Sequence, residues 1–166
     1  MFAVAALGLL LVRAPPPPEL VPAQHSQQML AGELRQRFDQ AVVMLHAKQY
    51  EYAATALQRV LQLAPRLPEA HVNLGFALLG LQRNGEAMQA FERAIALLPT
   101  QANAYYGMAV AMEQQGDIEA ALGAMRSYLH LSRPDERFHA KARAALWEWE
   151  GRLGRHSPLP AASGVR

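Results

Sequence analysis

From about residue 34 to residue 135 the chain repeats itself every 34 residues. Ala53, Ala87 and Ala121 fall on this lattice, and so do Ala56, Ala90 and Ala124. Leu57, Phe91 and Met125 form a bulky column four places after the first alanines, and Met44, Leu78 and Met112 form another. Ala41, Gly75 and Ala109 are a second small column, and Pro65 and Pro99 share one phase. A fixed period of this length means stacked copies of one supersecondary unit, each burying its apolar face against the next.

Within a unit the apolar residues recur at spacings of three and four, which is helical periodicity. Residues 68–82 carry Val72, Leu74, Gly75, Leu78 and Leu79, and residues 86–97 carry Ala87, Ala90, Phe91, Ala94 and Ile95. Asn84-Gly85 is expected to break the two helices apart and Pro99 to stop the second. Lys48-Gln49-Tyr50 and Gln115-Gly116-Asp117 are the expected turns of the flanking units. Small residues recur where two helix backbones must come close, and large ones where the gap between them must be filled. Ser26 is the expected N-cap of the first helix, with Met29, Leu30 and Leu34 extending it back beyond the repeat.

This pattern resembles the tetratricopeptide repeat (TPR), a 34-residue helix–turn–helix unit. Residues 68–101 match best, through Leu74-Gly75, Ala87, Phe91, Ala94 and Pro99, with His71 in the place of the signature tryptophan. Residues 102–135 match with Tyr105 in that place, but put Tyr128 where a small residue is usual. Residues 34–67 match with Ala41, Met44, Ala53, Leu57, Val60 and Pro65, and carry Arg37 in the tryptophan place. The resemblance implies an all-α fold: tandem antiparallel helix pairs in a right-handed superhelix, three TPR units closed by a C-terminal capping helix. Residues 26–154 are the expected domain. The cap is expected over 135–153, with Phe138, Ala142, Ala145, Trp149 and Leu153 as its apolar stripe. Trp147 lies off that stripe, so it either packs on an unforeseen neighbour or is exposed as a partner anchor.

The ends stand outside the lattice. Residues 1–12, MFAVAALGLLLV, carry no charge and are too short to span a bilayer alone as a helix. They have the length of a signal-peptide core, but lack a basic residue before it. The expectation is membrane anchoring or export to the periplasmic side, with a cytoplasmic, untargeted tail as the alternative. Cleavage after Ala23 or a start further upstream both stay open. Residues 13–25 read as a proline-rich linker with Pro15 to Pro18 favouring extended backbone, and 155–166 as a disordered tail.

Composition removes most chemistry. The chain has no Cys, which excludes disulfides, thiolate metal sites and a cysteine nucleophile. Lys+Arg is 16 and Asp+Glu is 14, so the net charge of +2 is a weak footprint for nucleic acid, and none is expected as a partner. Fourteen arginines against two lysines are scattered and form no basic block. Glu136 and His139 have a metal-like spacing without a second pair, and no phosphate loop, nucleophile elbow or paired-carboxylate motif is present. No catalytic, metal or cofactor residue is therefore assigned.

What remains is a surface. The family's concave face, carried onto this chain, gives Phe38 and Val42 from the first unit, Val72, Asn73, Phe76 and Leu79 from the second, and Asn103, Tyr106 and Val110 from the third. Phe38 and Val42 stand where chaperone-binding members place the Lys and Asn of a carboxylate clamp, so that activity is not expected. An apolar groove calls for an occupant. The expected partner is a protein segment, either an amphipathic helix or an extended apolar stretch; self-association, or an oligomer with the groove permanently filled, is the competing reading.

Overall fold

The computed structural model describes residues 22–155, in which seven α-helices and no strand occur. They are α1 (Pro22–His46), α2 (Tyr50–Leu63), α3 (Pro68–Gly80), α4 (Asn84–Leu97), α5 (Ala102–Gln114), α6 (Ile118–Leu131) and α7 (His139–Arg152). The three antiparallel pairs and the cap are as the lattice requires. Consecutive helices pack together, and the first helices of successive pairs also touch, α1 on α3 and α3 on α5. The pairs α2–α4 and α4–α6 lack comparable contact, so the array curls toward α1, α3 and α5 and makes them its inner layer.

The core is divided as a solenoid's must be, because each unit can bury its apolar face only against its neighbours. Ala41, Ala53, Leu57, Val60 and Ala70 close the junction of α1, α2 and α3. Ala87, Phe91, Ala94, Ala104 and Ala111 close the next, and Ala109, Leu122, Met125, Tyr128, Ala142 and Trp149 the last. Phe91 is fully buried, and a Cβ on Gly75 would stand 2.5 Å from its ring. A Cβ on Gly107 would meet the same ring from α5. Two glycines thus let three helices close around one aromatic side chain.

The turns keep the period more faithfully than the sequence alone suggests. Lys48 and Gln82 have φ of 59° and Gly116 has φ of 85°, all at one lattice phase, so each pair is joined through a left-handed residue just after its first helix. The middle turn is therefore Leu81-Gln82-Arg83, and Asn84-Gly85 is the first turn of α4 rather than a break. Asp117 caps α6, its Oδ1 accepting from the Ala120 amide at 3.0 Å. The tryptophan places of the second and third units hold polar aromatics tied to the preceding unit. His71 Nε2 bonds the Pro65 carbonyl at 2.9 Å, and the Tyr105 hydroxyl donates to the Pro99 carbonyl at 3.1 Å.

Both ends differ from expectation. α1 already begins at Pro22, so Ser26 lies inside the helix instead of capping it, and positions 22–25 are helical rather than linker. With 25 residues against 14 in α2, α1 overhangs its partner, leaving Met29 63% and Leu30 65% exposed. The cap α7 starts at His139, and Asp135 and Glu136 belong to the turn before it. Phe138 is its N-cap and not part of the helical stripe; Ala142 and Trp149 are buried as that stripe requires. The signal or anchor segment, residues 13–21 of the linker and residues 156–166 lie outside the described residues.

Candidate functional site

The inner layer carries a groove of about 580 Å³. Val72, Asn73 and Phe76 of α3 form its floor together with Asn103 of α5. Leu45, His46, Lys48 and Tyr50, at the junction of α1 and α2, form one wall. Tyr128 and the residues Glu136, Arg137 and Phe138 form the other. Phe76 lies four residues after Val72 and three after Asn73, one turn along α3, so the three share a face. Tyr50 reaches them because Gly80 has no side chain; a Cβ there would lie 2.5 Å from the Tyr50 ring.

An aromatic cluster closes the C-terminal part of this face. The Phe138 ring stacks on Tyr106 at a centroid distance of 4.7 Å and an interplanar angle of 15°. Phe76 lies 6.4 Å from both Tyr106 and Phe138. Phe76 also meets the buried Phe91 edge-on at 5.2 Å, and Tyr106 meets Tyr128 edge-on at 5.3 Å. Arg137 stands 5.2 Å from the Phe138 ring centroid, within cation–π range. Burial raises the Tyr106 phenol above its ordinary value, with a smaller contribution from Tyr128. Burial likewise raises Tyr128, against the opposing influence of the Ser132 hydroxyl and the Phe138 backbone. Neither neighbour reaches hydrogen-bond geometry: the Tyr128 and Ser132 hydroxyls are both buried without a partner.

Of the residues assigned to the concave stripe, Val72, Asn73, Phe76 and Asn103 share this groove. Tyr106 adjoins Phe76 but lies under Phe138. Phe38 lines a separate hollow of about 530 Å³, with Leu34, Arg35, Asp39, Leu67 and Glu69, so the stripe is interrupted. Leu79 is a correction: it belongs to the central core at 8% exposed and does not line the groove, whereas Val72, in the same core at 5% exposed, still reaches the groove floor. Val110 packs half-buried against that same core, and Val42 is half-buried on α1, outside the lining of both hollows. Trp147 is 65% exposed, beside a smaller hollow formed with Leu129, His139, Arg143, Leu146 and Glu150. Lys48, Tyr50, Tyr128, Arg137 and Phe138 were not legible as groove residues. The available signal was Tyr128, the one bulky residue in a column otherwise held by Val60 and Ala94.

The "Tetratricopeptide repeat" family model matches residues 78–146. Together with the seven-helix array, this identifies residues 78–146 as tetratricopeptide repeats. Solved structures share this fold over about three quarters of the chain. The type III secretion translocator chaperone SycD of Yersinia enterocolitica superposes with a TM-score of 0.69 at 14% identity, over 75% of this chain and 88% of that one. PcrH, in complex with the chaperone-binding region of PopD, gives 0.69 at 19% identity, over 74% and 95%. A mutant O-GlcNAc transferase of Thermobaculum terrenum gives 0.66 at 26% identity, over 73% of this chain but 22% of that one. Among curated proteins none matches. Among the described residues no three His, Cys, Asp or Glu side chains gather as a metal site.

Proposed function

We propose that this TPR protein is a non-enzymatic adaptor that holds a segment of a partner protein in its concave groove. The observation that carries the reading is the groove itself: an apolar floor of Val72 and Phe76, flanked by the amides of Asn73 and Asn103, on the inner face of a rigid array. Apolar surface supplies affinity and the amides fix the backbone of what enters. A volume of about 580 Å³ suits a few side chains of an extended stretch better than a whole helix. PcrH, similar in fold, is seen with a segment of another protein, which supports the same use here.

The test is affinity capture followed by direct binding of the recovered partner. Asn73→Ala and Asn103→Ala are the cleanest variants, because Phe76 also supports Phe91 and its loss would disturb the core. Each is expected to weaken binding about tenfold, equivalent to about 1.4 kcal/mol, with helix content unchanged. Unaltered binding by the double variant would refute the groove reading and direct attention to Trp147.

The proposal extends to place. Among the described residues no helix is long and apolar enough to cross a membrane. Residues 1–12 are the proposed membrane or export element, which would put the adaptor to work in assembly or maturation of a membrane-associated complex. Fractionation of full-length and residue 24–166 forms tests this; a full-length protein found wholly in the cytosol would refute it. Sedimentation at micromolar concentration separates the adaptor from an oligomeric subunit, whose groove would be filled by another copy.

A further inference from the structure

The lattice breaks at its last junction, and two residues account for the break. At the first junction Val60 of α2 and Ala70 of α3 are both fully buried in one cluster. At the second, Ala94 of α4 and Ala104 of α5 take the same places. The next pair on the lattice is Tyr128 and Phe138. Two rings cannot enter a space packed for two small side chains. Tyr128 takes it, with no exposed surface. Phe138 is expelled: the segment from Arg133 to Phe138 stays a turn, and α7 starts three residues later than the phase of α3 and α5 would have it. The expelled ring lands on Tyr106 and Phe76, inside the concave face.

Building on the groove reading, we infer that Phe76, Tyr106 and Tyr128 form a subsite for an aromatic side chain of the partner, and that Phe138 occupies it in the free protein. The seat selects a ring, since Tyr106 offers a face to stack on and Phe76 adds a second aromatic surface beside it. The occupant is also removable. Phe138 is only half-buried, and its turn is held by short local bonds, Glu136 N–H to the Arg133 carbonyl at 3.0 Å and His139 N–H to that of Glu136 at 3.0 Å. α7 is anchored independently, through Ala142 and Trp149 and through ion pairs of Arg126 with Glu150 and Arg152 with Glu113. The Phe138 carbonyl accepts from the Ala142 N–H at 2.8 Å, so its backbone stays with α7 while the ring can swing out of the seat.

An internal competitor lowers apparent affinity by the fraction of molecules in which the site is open. The experiment pans a phage-displayed library of random peptides against the full chain, as wild type and as Phe138→Ala. The selected peptides are then synthesised, and their affinities measured by fluorescence anisotropy. The expected result is that the peptides share an aromatic residue and bind Phe138→Ala at least tenfold more tightly than wild type. Tyr106→Ala should weaken both, and alanine at the peptide's aromatic position should abolish the difference. Phe138→Leu, which keeps apolar bulk without a stacking face, should fall between, and it carries the comparison if Phe138→Ala is poorly folded by circular dichroism. Groove-binding peptides that bind wild type as tightly as the variants, or that lack a common aromatic, overturn the inference alone. Failure to recover any groove-dependent peptide from either protein overturns the groove reading with it.

Discussion

Alanine at position 107 should destabilise this protein, although alanine is the better helix former. Phe91 is fully buried, and its ring is hemmed in by the backbones of α3 at Gly75 and α5 at Gly107. A methyl group on Gly107 enters the ring's own volume, and the ring cannot retreat, because Gly75 already stands at contact on α3 and Phe76 packs against it edge-on at 5.2 Å. Overpacking of a core costs about 1–3 kcal/mol, and the upper half of that range applies where nothing yields. Against this stands a gain of about 1 kcal/mol for replacing a helix-interior glycine. The net is a loss of about 1–2 kcal/mol. Gly123 of α6 is the matched control: it is exposed, and no atom lies within 4 Å of the Cβ it would acquire. Gly123→Ala should gain about 0.5–1 kcal/mol. At about 4 °C per kcal/mol for a domain of this size, thermal melts at 222 nm should show Gly107→Ala falling by about 4–8 °C and Gly123→Ala rising by about 2–4 °C. Adding Phe91→Leu to Gly107→Ala should cost less than the two changes summed, a coupling of about 0.5 kcal/mol or more. A Gly107→Ala protein as stable as wild type, or strict additivity in the double variant, would refute the claim that Phe91 is wedged between the two helices.

Phe91→Ala should lower stability by about 3–5 kcal/mol in urea denaturation, through a cavity shared by α3, α4 and α5. Gln82→Gly should raise it by about 0.5–1 kcal/mol, because Gln82 holds φ of 59° where Gly116 serves the third unit without strain; a lower midpoint would count against that turn. The Tyr106 and Tyr128 phenols are both raised in the folded state, mainly by burial. Their contribution is thus complete below the ordinary phenol range of about 10 and is lost as pH rises through the folded values. Absorbance at 295 nm should show two late-ionising tyrosines whose titration accompanies loss of helix signal, and Tyr128→Phe should move that loss to higher pH.

The seven helices, their pairing and most of the core are legible in the amino-acid sequence. Ala53, Ala87 and Ala121 repeat because the same helix contact repeats, and that contact joins neighbours in sequence as well as in space. The turn at Gln82 was misplaced by two to three residues, since Asn84-Gly85 carries a breaker's composition while the left-handed position is set by the end of α3. Val72, Asn73, Phe76 and Asn103 were legible as groove residues from their phase alone. Leu79 was not separable from them, because it shares their phase on α3 and phase does not show where along the helix the groove ends.

The amino-acid sequence by itself determined stacked helical units, because apolar columns that recur every 34 residues at helical spacing are buried by packing each unit on the next, and its resemblance to the tetratricopeptide repeat added the three-unit solenoid with a cap. The tertiary structure alone decided where the solenoid's concave face ends. Tyr128 and Phe138 are each tolerable in isolation and lie ten residues apart on different elements. Only the close approach of α6 and α7 reveals that they meet at one junction, where Tyr128 is buried and Phe138 stays at the edge of the core, stacked on Tyr106 beside the groove.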